Sequence, residues 1–127
     1  MTKDLVTCPI ENTVKLLNRK WTIVLIRDMF LGKKRFLEFK ENNPNLSNTV
    51  LSDTLKSMEK NNLIVKEISN QSTEYYLTSR GLRLNKILYE LAVFGLDELE
   101  CGEDGDLEII NMFKGYCADL LNVGDEK

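Results

Sequence analysis

Residues 46–62 contain several short polar side chains that could form hydrogen bonds with a series of regularly spaced groups on another molecule. Leu51, Leu55 and Met58 recur at helical spacing, which predicts an amphipathic helix with one apolar side. Short donors and acceptors and one cation lie on or beside the opposite side: Ser47, Asn48, Thr49, Ser52, Asp53 and Lys56. Such side chains suit hydrogen bonding to base edges by a helix in a DNA groove. The pattern therefore indicates a recognition helix, and a polar side that only contacts solvent is the alternative.

Two short runs of β-branched and aromatic residues follow this helix, at residues 63–67 and 74–78. The segment between them contains the turn-forming residues Ser69, Asn70, Gln71 and Ser72, so we predict a hairpin with a polar tip. A helix followed by a hairpin is the order of a winged helix, in which the hairpin is the wing. We add Gln71 and Ser72 at this tip to the candidate DNA contacts.

A different chemistry is suggested by the thiol of Cys8. Proline is favoured at the first position of a helix, so the Cys8-Pro9 pair predicts a helix with Cys8 as its N-cap. The positive end of the helix dipole would favour the thiolate there, which is the reactive form of cysteine. A redox-sensing thiol is one hypothesis, and a small buried cap residue is the other. No motif supports a similar role for Cys101 or Cys117.

Three helices should precede the recognition helix and position it. The first begins at Pro9, and a second, more apolar helix covers residues 21–31, ends at Gly32 and should be central in the core.

The third helix begins after a cluster of cations. Lys34 and Arg35 lie at its start, where we expect them to contact DNA phosphates. Phe36 and Phe39 should turn inward, with Leu37 as a further candidate, and a proline closes the helix.

After the wing, residues 79–99 should form a further helix capped by Thr78. Its apolar stripe is wider than a small core needs, so we expect a homodimer interface that contains Leu84, Leu88, Leu91 and Phe94. An acidic, glycine-containing linker at residues 101–106 and a last helix at residues 107–121 complete the chain.

Length and composition favour one globular domain, with 127 residues, 43% hydrophobic and 29% charged. We expect a cytoplasmic protein, because the first residues lack the pattern of a secretory signal and no apolar run is long enough to span a membrane. The chain has no histidine, its three cysteines form no close pair, and its glycines form no phosphate-binding loop. We therefore expect no metal site, no cofactor and no enzymatic activity.

The net charge of −3 is divided unevenly along the chain. Residues 1–96 carry a balance of +5, whereas residues 97–127 carry −8. A basic body can bind phosphates by releasing counterions, and an acidic end that lies away from it would not prevent docking.

Five motifs in order resemble the HxlR family of bacterial winged-helix transcriptional regulators, which are related to the MarR group. They are CPI at Cys8, KW at Lys20, GKKRFLEF from Gly32, NLSNTVLSDTLKSMEKNNLI from Asn45 and EYYLTSRG from Glu74, and they extend the match to about Leu99.

This resemblance implies a mainly α fold with a small β-hairpin wing, namely a winged helix-turn-helix with additional N- and C-terminal dimerisation helices. Residues 1–99 would be the winged-helix domain, and residues 100–127 the acidic linker and C-terminal helix, within the same domain or the dimer interface. The family further implies a homodimer that binds a pseudo-palindromic site on double-stranded DNA. Several members sense electrophiles or oxidants through a cysteine at the position of Cys8.

The chain departs from the family at three positions where glycine is common, which are occupied by Arg19, Asn45 and Asn62. Asparagine tolerates left-handed backbone best among the other residues, so the latter two turns can be kept. The wing tip also lacks the basic residue that many members carry. A winged helix that binds another protein instead of DNA is the alternative function, because Lys56 and Lys60 of the predicted recognition helix are offset by Asp53 and Glu59. Salt dependence distinguishes the two, since DNA binding weakens steeply with salt.

Overall fold

Seven helices and a two-stranded hairpin form residues 8–99 and 107–123, which are the residues that the computed structural model describes. In chain order they are α1 (Pro9–Leu16), α2 (Lys20–Phe30), α3 (Phe36–Asn42), α4 (Asn48–Lys60), β1 (Ile64–Ile68), β2 (Thr73–Leu77), α5 (Ser79–Leu82), α6 (Asn85–Glu98) and α7 (Leu107–Leu120). This order confirms the winged helix-turn-helix. Cys101 and the predicted linker at residues 101–106 lie outside the described residues.

The core is built around α2, as its apolar sequence predicts. Leu25 and Ile26 of α2 are fully buried, and Phe39 of α3 is buried with them. From α4, the side that carries Leu51 and Leu55 packs into the same cluster. Burial of these large side chains supplies the main stabilisation of the domain, at about 1.5–3 kcal/mol for each fully buried aliphatic side chain.

The turn between α2 and α3 depends on Gly32. Its φ of +96° lies in a region that side chains rarely adopt, and glycine ends the helix there as expected. In α3 the prediction for Phe39 is confirmed and Phe36 is partly buried against the core. The prediction for Leu37 is wrong, because this side chain is 71% exposed. The short helix turns only one side toward α2, and Leu37 lies on the other.

A buried carboxylate joins the end of α3 to α2. Asp28 is fully buried, and its carboxylate accepts hydrogen bonds from Arg27, Asn42 and Asn43 at 2.7–2.8 Å for the shortest contact of each. Asn43 also donates to the backbone oxygen of Phe39. Because α4 begins a few residues later, this network helps to set where α4 starts relative to α2.

The wing is an antiparallel pair in which Ile64 is opposite Leu77 and Glu67 is opposite Glu74. Asn62 precedes it with a φ of 63°, which confirms that asparagine takes the left-handed conformation at this turn. Asn45 is not among the described residues with positive φ.

The segment after the wing is two helices and not one, so the prediction of a single helix over residues 79–99 is wrong. Thr78 does cap the first of them, since its Oγ1 accepts a hydrogen bond from the Gly81 nitrogen at 3.0 Å. The chain must approach β1 closely here, and a Cβ at position 81 would lie 2.3 Å from the Leu63 oxygen. The four-residue α5 ends after this contact, and α6 starts at Asn85.

Helices α6 and α7 pack against each other within one chain. Asn85 at the start of α6 donates to the Leu121 oxygen just after α7, at 2.7 Å, and Lys114 forms an ion pair with Asp97 at 2.7 Å. These two contacts make the pair antiparallel. No helix in the described ranges has both the length and the apolar character needed to cross a membrane.

The burial of α6 corrects the predicted dimer stripe. Leu84 and Leu88 are buried in the core of a single chain, so they do not form the exposed surface that the sequence suggested. Leu91 and Phe94 remain 52% and 59% exposed. The sequence pattern could not separate the two pairs, because all four are apolar residues at helical spacing and only the packing of the folded chain shows which are covered.

Candidate nucleic-acid interface

Helix α4 presents its polar residues on one accessible side. Its apolar residues are held in the core, and the buried Thr54 lies among them. Asn48, Thr49, Asp53 and Lys56 are exposed, and Ser52 is half-buried. The predicted contact residues are therefore brought together on one side of one rigid helix. Because core packing already fixes the backbone of this helix, binding needs little further ordering of the main chain.

Ser47 has a different local role from its neighbours. It is the N-cap of α4, and its Oγ accepts a hydrogen bond from the Val50 nitrogen at 3.1 Å. This bond satisfies one of the free nitrogens at the helix start. The side chain is exposed, but its oxygen is already used to fix the helix end that would face DNA.

Lys34 and Arg35 lie at the start of α3 as expected. The Glu38 carboxylate accepts hydrogen bonds from both backbone nitrogens, at 2.7 Å from Lys34 and 3.1 Å from Arg35. The hydrogen bond from the Lys34 backbone is the largest cause that lowers the pKa of Glu38. The backbone of both cations is thus fixed, while their side chains remain 43% and 51% exposed.

The wing contacts the start of α3 directly. The Tyr75 nitrogen donates to the Lys34 oxygen at 2.8 Å, and the Glu74 carboxylate forms an ion pair with Arg35 at 3.0 Å. Tyr76 donates its hydroxyl hydrogen to the same carboxylate, which is the largest cause of the lowered pKa of Glu74 and raises the pKa of Tyr76. The wing and the cations of α3 therefore form one surface.

Sequence analysis did not identify Glu74 as part of this site. Glu74 belongs to the EYYLTSRG motif, but it is 39 positions from Arg35, and no local spacing indicates that the two residues meet. The wing tip itself is polar, with Gln71 exposed and Ser72 half-buried. Neither residue takes part in the hydrogen bonds and ion pairs that join the wing to the start of α3, which involve Glu74 and Tyr75.

A separate apolar groove lies between α1 and α6. Its volume is about 510 Å³, and its lining is Pro9, Ile10, Thr13, Val14, Leu17, Asn18, Ile23, Ile87 and Leu91. Ile10 and Val14 are mostly exposed, as are Leu91 and Phe94 farther along α6. Contiguous exposed apolar surface of this kind is typical of an interface.

Cys8 is the N-cap of α1 and a half-buried free cysteine, and it directly precedes Pro9, which lines this groove. The helix begins at Pro9, which confirms the predicted start. Cys117 on α7 is also free, and burial raises the pKa of its thiol, which disfavours the thiolate.

The chain is similar to known proteins in both sequence and structure. The family model described as HxlR-like helix-turn-helix matches residues 16–102. YkvN of Bacillus subtilis, named an uncharacterized HTH-type transcriptional regulator, is 32% identical over 109 residues, which are 82% of this chain and 92% of the relative.

Solved structures of regulators are similar as well. The reduced form of the redox regulator HypR has a TM-score of 0.69 at 29% identity, over 73% of this chain and 95% of that one. The reduced form of the transcriptional regulator YodB from B. subtilis has a TM-score of 0.66 at 27% identity, over 77% of this chain and 100% of that one.

Proposed function

Because the chain belongs to the HxlR-like helix-turn-helix family of transcriptional regulators, we propose that it regulates transcription by binding a specific DNA sequence through α4. The observation that carries this proposal is the exposed polar side of α4, whose opposite side is held in the core. The exposed cations Lys34 and Arg35 at the start of α3 add to it. Short donors and acceptors can select bases, and cations on the same protein can bind the DNA backbone. The cytoplasm, where bacterial DNA lies, is the location that this function requires.

The residues divide into two roles under this proposal. Asn48, Thr49 and Ser52 contact base edges, because their side chains are short and lie near the N-terminal end of α4. Lys34 and Arg35 bind phosphate groups, since a cation on phosphate contributes affinity without sequence preference.

The remaining candidates complete the surface. Lys56, farther along α4, also contacts phosphate. Ser47 supports the contact surface mainly as the cap of α4, and Asp53 limits the sequences accepted because a carboxylate suits a cytosine amino group. Gln71 and Ser72 of the wing tip lie near the flanking minor groove, where uncharged polar side chains can contact A·T pairs.

The chain acts as a homodimer in this proposal. The support is the exposed apolar surface on α1 and α6, which contains Leu91 and Phe94 beside the groove. A second copy related by a two-fold axis would cover the same surface on both chains. Two recognition helices would then lie about 34–36 Å apart, one turn of DNA, and the target would be a pseudo-palindrome.

Regulation through Cys8 is the further part of the proposal. Its thiol is half-buried at the start of α1 and next to the groove that a second copy would cover. Oxidation or alkylation there would shift α1, and with it the distance between the two recognition helices. HypR, one of the similar proteins, is named a redox regulator.

Selection of bound sequences from a pool of random DNA duplexes tests the proposed function. Enrichment of a two-fold related sequence is expected, with affinity that falls steeply as salt rises. A chain that enriches no sequence, and binds a protein partner with little salt dependence, would instead be a winged-helix module for protein interaction.

A further inference from the structure

Glu74 of the wing lies against the two cations that the proposed function assigns to phosphate. Its Oε2 is 3.0 Å from Nη2 of Arg35 and 3.9 Å from Nζ of Lys34. Resting on that function, we propose that Glu74 is an intramolecular competitor of DNA phosphate, which lowers the affinity of the α3 cations for any duplex.

The competing carboxylate is fixed in place from several directions. Tyr76 donates a hydrogen bond to its Oε1, on the oxygen that Arg35 does not contact. The Tyr75 nitrogen bonds to the Lys34 oxygen at 2.8 Å, so the backbones on both sides of the ion pair are joined. Contact between Glu74 and the cations therefore does not depend on the chance meeting of two long side chains.

The exposed fractions of the side chains indicate which member of the ion pair can move toward DNA. The Glu74 side chain is 21% exposed, whereas those of Arg35 and Lys34 are 51% and 43% exposed. The cations can thus turn toward an approaching phosphate while the carboxylate stays behind them. Arginine has several N–H donors, so it can contact a phosphate without leaving Glu74 completely.

The electrostatic consequence follows from the charges of the three groups. Two cations and one carboxylate present a net charge of +1 to DNA, where the cations alone would present +2. A phosphate that binds Arg35 also approaches the carboxylate, and the two anions repel each other. A glutamate is already charged at neutral pH. The hydrogen bond from Tyr76, and then that from Arg35, lower the pKa of Glu74 further.

The variant Glu74→Gln tests this inference, because it removes the charge and keeps the size of the side chain. The glutamine oxygen can still accept from Arg35, and its amide nitrogen can donate to the Tyr76 hydroxyl oxygen. Binding is measured by fluorescence anisotropy on a labelled duplex of random sequence over a range of salt concentrations. We expect affinity to rise by about three- to five-fold at moderate salt. The slope of log affinity against log salt should become steeper by up to about one.

Glu67→Gln is the matched control, since Glu67 lies directly opposite Glu74 in the hairpin and forms no ion pair in the described part of the chain. It makes the same change in net charge on the same hairpin, and we expect a clearly smaller effect. An equal gain in both variants would overturn the inference, because the charge of the wing and not the contact with the cations would then matter. Unchanged or weaker binding by Glu74→Gln would overturn it too.

The double variant Arg35→Ala, Glu74→Gln separates this inference from the function on which it rests. If Glu74 acts through Arg35, its replacement should tighten binding much less in the Arg35→Ala protein, and an undiminished gain would refute the inference. If Arg35→Ala alone binds random duplex as the parent does, the proposed DNA contact fails. Weakened binding by Arg35→Ala without any gain from Glu74→Gln would leave the proposed function and refute only the competitor. Thermal unfolding of each variant confirms that the folded proteins are being compared.

Discussion

Replacing Asp28 by alanine should destabilise the domain at the point where α3 is joined to α2. The carboxylate is fully buried and accepts four hydrogen bonds, two from Arg27 at 2.7 and 3.0 Å and one each from Asn42 and Asn43. Alanine removes the carboxylate, so the Arg27, Asn42 and Asn43 side chains each lose their hydrogen bond to it. Helix α4 begins shortly after Asn43, so its position depends on the same contacts.

The expected loss can be worked out donor by donor. The Arg27 side chain is 46% exposed and Asn42 is exposed, so water can replace Asp28 for both residues. Asn43 is buried, although its amide keeps a hydrogen bond to the Phe39 oxygen at 2.9 Å. A buried donor without a partner costs about 1–3 kcal/mol, and a lost bond to a charged group about 1.5–3 kcal/mol before solvent compensates. We therefore expect the free energy of unfolding to fall by about 2–4 kcal/mol.

Urea denaturation measures this change, at one fixed protein concentration because a dimer's stability depends on concentration. Asp97→Ala is the matched control, since Asp97 forms an ion pair of similar length with Lys114 on the surface. Its loss should cost less than about 1 kcal/mol. If Asp28→Ala costs no more than Asp97→Ala, the buried network does not fix α3, and the account of how the recognition helix is positioned is wrong.

Three further predictions concern the proposed function. Arg35→Ala should weaken binding to all duplexes about equally and reduce the salt slope by about one, as measured by anisotropy; a loss confined to one sequence would contradict a phosphate contact. Phe94→Asp should turn a dimer into a monomer by sedimentation at micromolar concentration, because a charge would replace an exposed aromatic ring in the apolar surface; a parent protein that is already monomeric would contradict the homodimer. Cys8→Ser should abolish any change in DNA binding after treatment with an oxidant or electrophile, and an equal response in the variant would exclude this thiol as the sensor.

The elements that could be predicted from the sequence are those with local causes. The apolar spacing of Leu51, Leu55 and Met58 sets which side of α4 is buried, and the exposed side follows from it. Gly32 ends a helix because of its own φ, and Thr78 caps one through a bond to a residue three positions away. Each of these features is encoded within one or two helical turns.

Features that join distant segments could not be predicted in this way. The Asp28 network connects residues 14 and 15 positions apart, and Asp28 alone looked like any charged residue in an amphipathic helix. Leu84 and Leu88 could not be separated from Leu91 and Phe94 without the packing around α6, and this packing includes α7. The exposed side of α4 was therefore predictable, whereas its positioning by α2 and α3 was not.

The central claim is that α4 selects the DNA sequence, and the sequence preference of Asn48→Ala tests it most directly. Asn48 is exposed at the first turn of α4, and asparagine can form two hydrogen bonds with an adenine edge. When random duplexes are selected with the variant, the enriched sequence should match that of the parent except at one position in each half-site, where the base preference is lost. The variant's discrimination for the parent's base pair at that position should fall by about 1–3 kcal/mol. An unchanged preference at every position, in a variant that unfolds as the parent does, would contradict the claim.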